Sequence, residues 1–417
     1  MEPARKFHTT NVQTMKPNQN QSGWIRRGCA VVILLAALAA FYFQPWSAHS
    51  PSVMTQIFNP QLRVENFRNM KKVFPYRDIA ASNTPFVFPK AEQALPTEFT
   101  FNANASKLDD FLTRTQTSSL LVIKNGAIVS ERYLQGATDK SQHTSWSVAK
   151  SFVSTMVAIA LKEGSIKSLD DKAEQYVPEL KGKAYGSVSI KQLLQMSSGI
   201  EFDETYNNKL SDINKLFYRV FLLGNNIDDV VAGYDAQVPP GTRFQYISSD
   251  SQVLAWVLTN AVKMPLTQYL ERSIWSPLGM ESSAFWSVER EGGKEIAYCC
   301  LNATTRDYAK LGQLYLDQGK WKGQQLLPEG WVKEATRPSQ AYLQPEASEL
   351  KIRGYQYQWW VPAGYDGEYF ANGVWGQMIW VSEKHNVVIV KTSVDPDYRA
   401  NLPETFAAMR AISASLR

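Results

Sequence analysis

The stretch that decides the fold runs from Ser145 to Leu161 and reads S-W-S-V-A-K-S-F-V-S-T-M-V-A-I-A-L. It is apolar and Ala/Val-rich with one charge, Lys150, and its length favours a helix that ends near Gly164. A run that is apolar on nearly all sides is typical of a helix inside a domain. A lysine buried there costs free energy unless it has a partner or loses its proton.

Ser147 precedes Lys150 by three residues, so the hydroxyl and the amine share one face of the predicted helix. A hydroxyl beside a desolvated amine can become a nucleophile without a histidine. We therefore interpret S-V-A-K at 147–150 as a catalytic Ser-x-x-Lys pair. The alternative is a buried helix whose lysine extends to the surface. A second copy, S-E-L-K at 348–351, lies in a polar segment without an apolar helix, and we interpret it as a chance match.

The composition is that of a globular protein and does not indicate a nucleic-acid-binding surface. The chain has 417 residues, of which 44% are hydrophobic and 20% are charged, enough for one large or two medium domains. The formal net charge is +5, and residues 1–27 hold five basic side chains against one acidic side chain. The remainder of the chain is therefore nearly neutral.

Histidine and cysteine spacing predicts neither a metal site nor a cofactor. The four histidines form no His-x-His or His-Glu-x-x-His pattern, which argues against zinc. Of three cysteines, Cys299 and Cys300 are adjacent, and we expect two buried free thiols rather than a bridge.

The N-terminal region predicts attachment to a membrane. Residues 1–22 are polar and are predicted to be a cytoplasmic tail, and residues 23–46 are predicted to be a signal anchor or transmembrane helix. Arg26 and Arg27 before the apolar run predict that the rest of the chain lies on the periplasmic side of the inner (plasma) membrane. Secretion after signal cleavage, at a small-residue site such as A-L-A at 37–39, is the alternative.

The remaining pattern predicts an α+β fold. Residues 47–105 are expected to be a linker and peripheral wrap, and residues 106–417 are expected to form one domain. A hairpin at 119–134 turns at Asn125-Gly126, and a mostly helical subdomain follows at about 147–290. Strand-like segments begin at Tyr355, and an amphipathic helix closes the chain. This order predicts an antiparallel sheet built from both ends of the domain, flanked by helices, with the helical subdomain inserted between.

Five segments, in order and spacing, resemble the motifs of the penicillin-recognising serine hydrolases, which include class C β-lactamases, carboxypeptidases and related esterases. They are S-V-A-K at 147–150, I-K-Q-L-L-Q-M-S-S-G at 190–199, P-G-T-R-F-Q-Y-I-S at 240–248, A-T-T-R-D-Y-A-K-L-G at 303–312 and A-N-G-V-W-G-Q at 371–377. The resemblance spans about residues 105–417 and is greatest to the 6-aminohexanoate-dimer hydrolase branch. It implies a β-lactamase/transpeptidase-like fold.

The resemblance also implies roles for residues of this chain. Ser147 would be the nucleophile, Lys150 and Tyr246 the acid-base pair, and Ser248 a supporting residue. The backbone N–H groups of Ser147 and Val374 would form the oxyanion hole. Four residues on the strand of the last motif would line the substrate cleft: Gly373, Trp375, Gly376 and Gln377.

One position departs from the family pattern. Ala371 stands where lactamase and peptidase members have a lysine or histidine, so a charge that would hold a β-lactam or peptide carboxylate is missing. We therefore expect a serine hydrolase that cleaves a small-molecule amide or ester through an acyl-enzyme. A β-lactamase or a peptidoglycan D-alanyl carboxypeptidase is one alternative. A catalytically silent, membrane-anchored binding module on the same fold is another.

Overall fold

An antiparallel sheet of seven strands organises the protein, which we describe from a computed structural model of residues 19–43, 49–348 and 350–417. The described strands are β1 Tyr76–Ile79, β2 Glu98–Phe101, β3 Asn104–Lys107, β4 Thr117–Lys124, β5 Ala127–Tyr133, β6 His143–Thr144, β7 Ala284–Ser287, β8 Leu301–Ala303, β9 Lys320–Trp321, β10 Gln324–Gln325, β11 Arg353–Gln356, β12 Trp359–Pro362, β13 Glu368–Gly373, β14 Gln377–Ser382 and β15 Val387–Ser393. The strand order in the seven-stranded sheet is β11-β12-β13-β14-β15-β4-β5.

Helices cover the sheet and form the block between its two halves. The described α-helices are α1 Gln19–Phe43, α2 Pro51–Met54, α3 Arg63–Asn66, α4 Leu108–Arg114, α5 Ala149–Lys162, α6 Ala173–Tyr176, α7 Ile190–Leu194, α8 Asp212–Phe217, α9 Ile227–Val231, α10 Ser248–Val262, α11 Leu266–Leu270, α12 Thr305–Leu316, α13 Trp331–Ala335 and α14 Leu402–Ser415. The helices α5 to α11 lie between β6 and β7 in the sequence. The predicted α+β fold, with a helical insertion, is thereby confirmed.

The pairing of β4 with β15 joins the two ends of the domain. In its register Leu121 lies opposite Val390. On the other side of β4, the Asn125-Gly126 turn leads into β5. Both turn residues have positive φ, 52° and 75°, which is the conformation that a two-residue type I′ hairpin turn requires.

Helix α12 lies unusually close to the sheet. A Cβ atom added at Gly312 would be 2.9 Å from Ile379 on β14 and also too close to Val388 on β15. Glycine therefore permits this close approach of helix and sheet. The other face of the sheet packs on α14, where Phe406 contacts the rings of Phe370 and Trp380 at 4.9 and 5.8 Å.

The segment expected to be a linker and wrap belongs to the packed domain from residue 49 onward. Its strand β1 pairs with β7, so that Ile79 lies opposite Ala284. The side chains of Phe67 and Met70 are buried in the main core. The apolar residues of this segment form an irregular but buried layer. Hydrophobic periodicity identifies helices and strands, so it does not predict a buried layer of this kind.

Helix α1 differs from the other helices because its side chains from Trp24 to Phe41 are exposed rather than packed in the domain. This stretch of 18 residues is long and apolar enough to cross a membrane. The helix begins at Gln19, before the predicted boundary at 23. Residues 1–18, most of the predicted tail, and residues 44–48 lie outside the described part.

The expectation of two free thiols at Cys299 and Cys300 is wrong. The two sulfur atoms form a disulfide between adjacent residues. Both residues are buried in the turn that leads into β8. Trp286 donates a hydrogen bond from its indole nitrogen to the Cys299 carbonyl (2.7 Å), and Asn302 donates to the Cys300 carbonyl (2.8 Å).

Candidate active site

Ser147 and Lys150 meet at the start of the central helix. Ser147 lies in a single 3₁₀ turn, Trp146–Val148, that continues directly into α5. Its hydroxyl is 3.1 Å from the amine of Lys150, and both residues are buried. The spacing of three residues thus brings the two groups into hydrogen-bond distance, as the sequence predicts.

Lys150 is held in surroundings that favour its neutral form. Its Nζ is 2.7 Å from the carbonyl oxygen of Tyr298 and 3.4 Å from the hydroxyl of Ser248. Burial lowers the pKa of Lys150 to about 7, although the charge of Glu204 acts in the opposite direction. The neutral amine is therefore more populated at neutral pH than in an exposed lysine. When its hydrogens are donated to Tyr298 and Ser248, the lone pair remains available to the Ser147 proton.

Tyr246 lies just before α10 and completes the group. The centre of its ring is 5.0 Å from Lys150 Nζ, and its phenol interacts with the Ser147 hydroxyl. Trp360 stacks on this ring at 5.3 Å, which fixes its orientation. Burial raises the pKa of Tyr246 above its ordinary value, while the contact with Ser147 acts in the opposite direction. The phenol therefore keeps its proton at neutral pH.

Glu204, which is not among the predicted site residues, holds Ser248 in place. Its carboxylate accepts hydrogen bonds from the Ser248 N–H (2.8 Å) and hydroxyl (2.6 Å). The Tyr206 hydroxyl donates to the same carboxylate at 2.6 Å. No local pattern distinguishes such a carboxylate from a surface acid, because its partner comes from a distant segment.

The third element of the predicted site is a strand end followed by a turn, which corrects the expectation that residues 373–377 form one strand. Strand β13 ends at Gly373, and Val374–Gly376 form a tight turn. Trp375 and Gly376 have φ values of 64° and 84°, which a strand does not contain. The sequence W-G places glycine at only one of these two positions, so the turn was not evident.

Gly373 brings this strand end against the Ser147 turn. A Cβ atom added at Gly373 would be 2.5 Å from the Ser145 carbonyl oxygen and 3.1 Å from Trp146 Cβ. Only glycine permits this approach, and the next residue is Val374, the predicted second donor of the oxyanion hole. In the described chain β12 pairs with β13 only at Trp360 and Phe370, so the later part of β13 is not paired with β12.

Two of the predicted cleft residues have their side chains engaged elsewhere. The Gln377 amide is buried and donates to the Ser393 carbonyl (2.5 Å), while its oxygen accepts from the Ser393 N–H (3.2 Å). Trp375 stacks on Phe58 at 5.6 Å and lies under the Arg63 guanidinium at 4.6 Å. These two side chains stabilise the turn rather than line a cleft, which leaves Gly373 and Gly376 as the cleft candidates of this motif.

The described residues contain no group of three or more His, Cys, Asp or Glu side chains that could hold a metal ion. The candidate site consists of hydroxyl, amine, phenol and backbone groups. This set can transfer protons and form an ester with a substrate acyl group.

Comparisons with known proteins agree with this geometry. A Beta-lactamase family model matches residues 105–410. The chain is 28% identical over 307 residues to 6-aminohexanoate-dimer hydrolase of Paenarthrobacter ureafaciens, which covers 71% of this chain and 78% of that protein. It is 27% identical over 179 residues to protein Flp of Staphylococcus aureus, or 40% of this chain and 34% of Flp.

Solved structures show the same fold. A Bacillus anthracis protein that carries the name 6-aminohexanoate-dimer hydrolase has a TM-score of 0.78 at 26% identity, covering 87% of this chain and 96% of that chain. A D-stereospecific amidohydrolase from Streptomyces sp. has a TM-score of 0.55 at 16% identity, covering 74% and 97%, and shares the fold. Since the family model spans most of the sequence, this chain belongs to the beta-lactamase family of serine hydrolases.

Proposed function

We propose that this protein hydrolyses an amide or ester bond through an acyl-enzyme on Ser147. The observation that carries the proposal is the buried contact of 3.1 Å between Ser147 Oγ and the amine of Lys150, whose pKa lies at about 7. A base with a pKa near the working pH combines availability with proton affinity.

Acylation uses all three side chains. Neutral Lys150 accepts the proton of Ser147 as Oγ attacks the substrate carbonyl carbon. The N–H groups of Ser147 and Val374 donate to the oxygen that becomes negative, and each such donor is typically worth about 10²–10³ in rate. The Tyr246 phenol donates its proton to the leaving nitrogen or oxygen, and the Lys150 ammonium returns a proton to Tyr246. The amine or alcohol then leaves, and the acyl group stays on Ser147.

Deacylation reverses these proton transfers with water in place of the leaving group. Tyr246 accepts a proton from water as the water oxygen attacks the ester carbon, and it passes its own proton to neutral Lys150. The Lys150 ammonium then donates a proton to Ser147 Oγ as the ester bond breaks. The products are a free acid and a regenerated enzyme, so one water molecule is consumed for each bond cleaved.

The substrate class follows from Ala371 and from the relatives. Ala371 supplies no cation where lactamases and peptidases of this family hold a carboxylate, which disfavours β-lactams and D-alanyl peptides. Two similar proteins bear the name 6-aminohexanoate-dimer hydrolase. Short amides of ω-amino acids and small esters are therefore the proposed substrates.

The N-terminal helix supports a membrane-attached enzyme. The exposed apolar stretch Trp24–Phe41 carries Arg26 and Arg27 near its start, which favours a signal anchor with the catalytic domain on the extracytoplasmic side. Fractionation of the full chain, followed by sizing, separates this from secretion: an anchored protein stays in the membrane at full length, whereas a cleaved one appears soluble and shorter.

Labelling with a fluorophosphonate probe tests the enzyme proposal. The folded wild-type protein should be labelled and should hydrolyse p-nitrophenyl acetate, and Ser147→Ala should lose both properties while it keeps its thermal unfolding temperature. Absence of labelling in the folded wild type would instead support a silent binding module. Turnover of a chromogenic cephalosporin faster than of 6-aminohexanoate oligomers would favour the lactamase alternative.

A further inference from the structure

A cationic side chain lies next to the aromatic residues that hold Tyr246. Arg353 begins β11, and its guanidinium carbon is 3.7 Å from the centre of the Trp360 ring. The same indole stacks on Tyr246 at 5.3 Å. Tyr355 packs edge-on against Trp360 at 4.6 Å and against Tyr246 at 5.9 Å. The guanidinium is therefore one side chain away from the phenol to which we assign proton transfer.

Arg353 has no carboxylate partner in the part of the chain that the structure describes. Its Nη1 atom is buried and has no hydrogen-bond partner there. The groups that act on it electrostatically are phenols and one further cation: Tyr246, Tyr398, Arg399 and Tyr355. Burial lowers the pKa of Arg353 to about 10, so it remains charged at neutral pH.

Two other partly buried arginines of the described chain are paired with acids, whereas Arg63 donates to the Gln116 amide oxygen and lies over the Trp375 ring. Arg306 binds Glu131 through two hydrogen bonds of 2.7 Å, and Arg410 binds Glu368 at 3.0 Å. A guanidinium removed from water without such a partner costs free energy, which an anionic ligand would recover. The position of Arg353 beside the proposed active site makes a substrate group the natural partner.

We propose that Arg353 binds a carboxylate of the substrate, so that this enzyme selects amides or esters that carry an acid group. The proposal rests on the hydrolase function above and specifies its substrate class. The planar fork of a guanidinium matches the two oxygens of a carboxylate. Arg399, which donates to the Tyr398 hydroxyl at 3.1 Å, adds positive charge nearby. Arg353 lies on β11, two strands away from Ala371 on β13, so the carboxylate that it binds is not placed as in lactamases and peptidases.

Matched substrate pairs test this selection. Mono-p-nitrophenyl glutarate and its methyl ester differ by a carboxylate on the acyl part. The amides 6-acetamidohexanoate and 6-acetamidohexanamide differ by a carboxylate on the leaving part, and their hydrolysis is measured as release of acetate. The wild type should prefer the acidic member of at least one pair by about 10- to 100-fold in kcat/KM, as a charge-assisted hydrogen bond provides.

Variants of Arg353 give the decisive comparison. Arg353→Met should abolish the preference, read as the ratio of kcat/KM within each pair, and Arg353→Lys should keep part of it because the charge remains without the fork. Arg337→Met is a matched control, since Arg337 also stacks on an aromatic ring, at 4.2 Å from Tyr365, but is paired with Glu383. A wild type without preference, or a preference that survives Arg353→Met, would overturn the proposal.

A binding experiment separates this proposal from the hydrolase function. In at least one of the two pairs, Ser147→Ala should bind the acidic member at least about tenfold more tightly than the neutral member in calorimetry, and Ser147→Ala/Arg353→Met should bind both members equally. Failure of every substrate to turn over counts against the hydrolase proposal alone, whereas equal binding by Ser147→Ala counts against Arg353. Glu349 lies outside the described residues, four positions before Arg353. Glu349→Gln should leave the preference unchanged, and an increased preference would show that Arg353 already has a partner.

Discussion

The substitution Glu204→Gln should move the acid limb of the pH–rate profile to lower pH. Ser248 bridges the two charged groups, with Lys150 Nζ 3.4 Å and Glu204 Oε1 2.6 Å from its hydroxyl oxygen. The charges are therefore within about 6 Å, where they attract by about 3 kcal/mol at an effective dielectric constant of about 20. Glu204 raises the pKa of Lys150, so loss of its charge lowers that pKa further.

The expected shift in the pKa of Lys150 follows from the lost attraction, because about 1.36 kcal/mol corresponds to one pKa unit. Because Glu204 is partly exposed to solvent, we expect the inflection in kcat/KM to fall by about one to two pH units from its wild-type value near 7. At pH 5.5 the wild type should retain about 3% of its plateau rate, and Glu204→Gln a much larger fraction of its own plateau.

The assay is hydrolysis of p-nitrophenyl acetate from pH 5 to pH 8, with each variant normalised to its plateau. Glu204→Asp, which keeps the charge, is the control and should retain an inflection near 7 even if a displaced Ser248 lowers its plateau. An inflection that stays near 7 in Glu204→Gln, or one that moves to higher pH, would refute Lys150 as the titrating base.

Three further predictions concern the same site. Gly373→Ala should lower kcat/KM by about 10²-fold and destabilise the fold by about 1–3 kcal/mol, because its Cβ would be 2.5 Å from the Ser145 carbonyl oxygen; ester hydrolysis and thermal unfolding measure the two effects. Lys150→Met should abolish turnover yet raise the free energy of unfolding by about 1–3 kcal/mol at pH 6. The pKa of Lys150 is lower in the folded protein than its ordinary value, so the free-energy cost of burying this side chain is complete below about pH 7 and disappears towards pH 10. Chemical denaturation at pH 6 and pH 10 should therefore show the increased stability of Lys150→Met only at pH 6. Reduction of the Cys299–Cys300 bond should lower kcat/KM by up to about tenfold, since the carbonyl that precedes it accepts from Lys150; a Cys299→Ser/Cys300→Ser variant should not respond to dithiothreitol.

The sequence carried most of the architecture because local patterns agree with the global fold. The Asn125-Gly126 turn and the apolar helix after Ser147 each follow from short-range chemistry, and both are present in the structure. The family resemblance added the order of the remaining motifs, including the segment that carries Tyr246.

The features that the sequence did not predict depend on contacts between distant segments. Glu204 became a partner of Ser248 only through tertiary packing, and the Trp375–Gly376 turn depends on support from β15. The bond between Cys299 and Cys300 requires a backbone turn that composition does not reveal, in which Cys300 has a φ of 74°. Each of these is decided by three-dimensional surroundings rather than by neighbours in the chain.

The pairing of β4 with β15 has a consequence for how the protein matures on the ribosome. The strand β15 is central in the sheet, between β14 and β4, yet it is among the last segments to be synthesised. Closing a loop of this length costs roughly 5 kcal/mol of chain entropy before any contact rewards it. Until β15 emerges, β4 and β5 form an isolated two-stranded hairpin, which is at most marginally stable in water. Premature termination before Val387 would therefore remove the middle of the sheet and leave an exposed, aggregation-prone strand rather than a shortened enzyme.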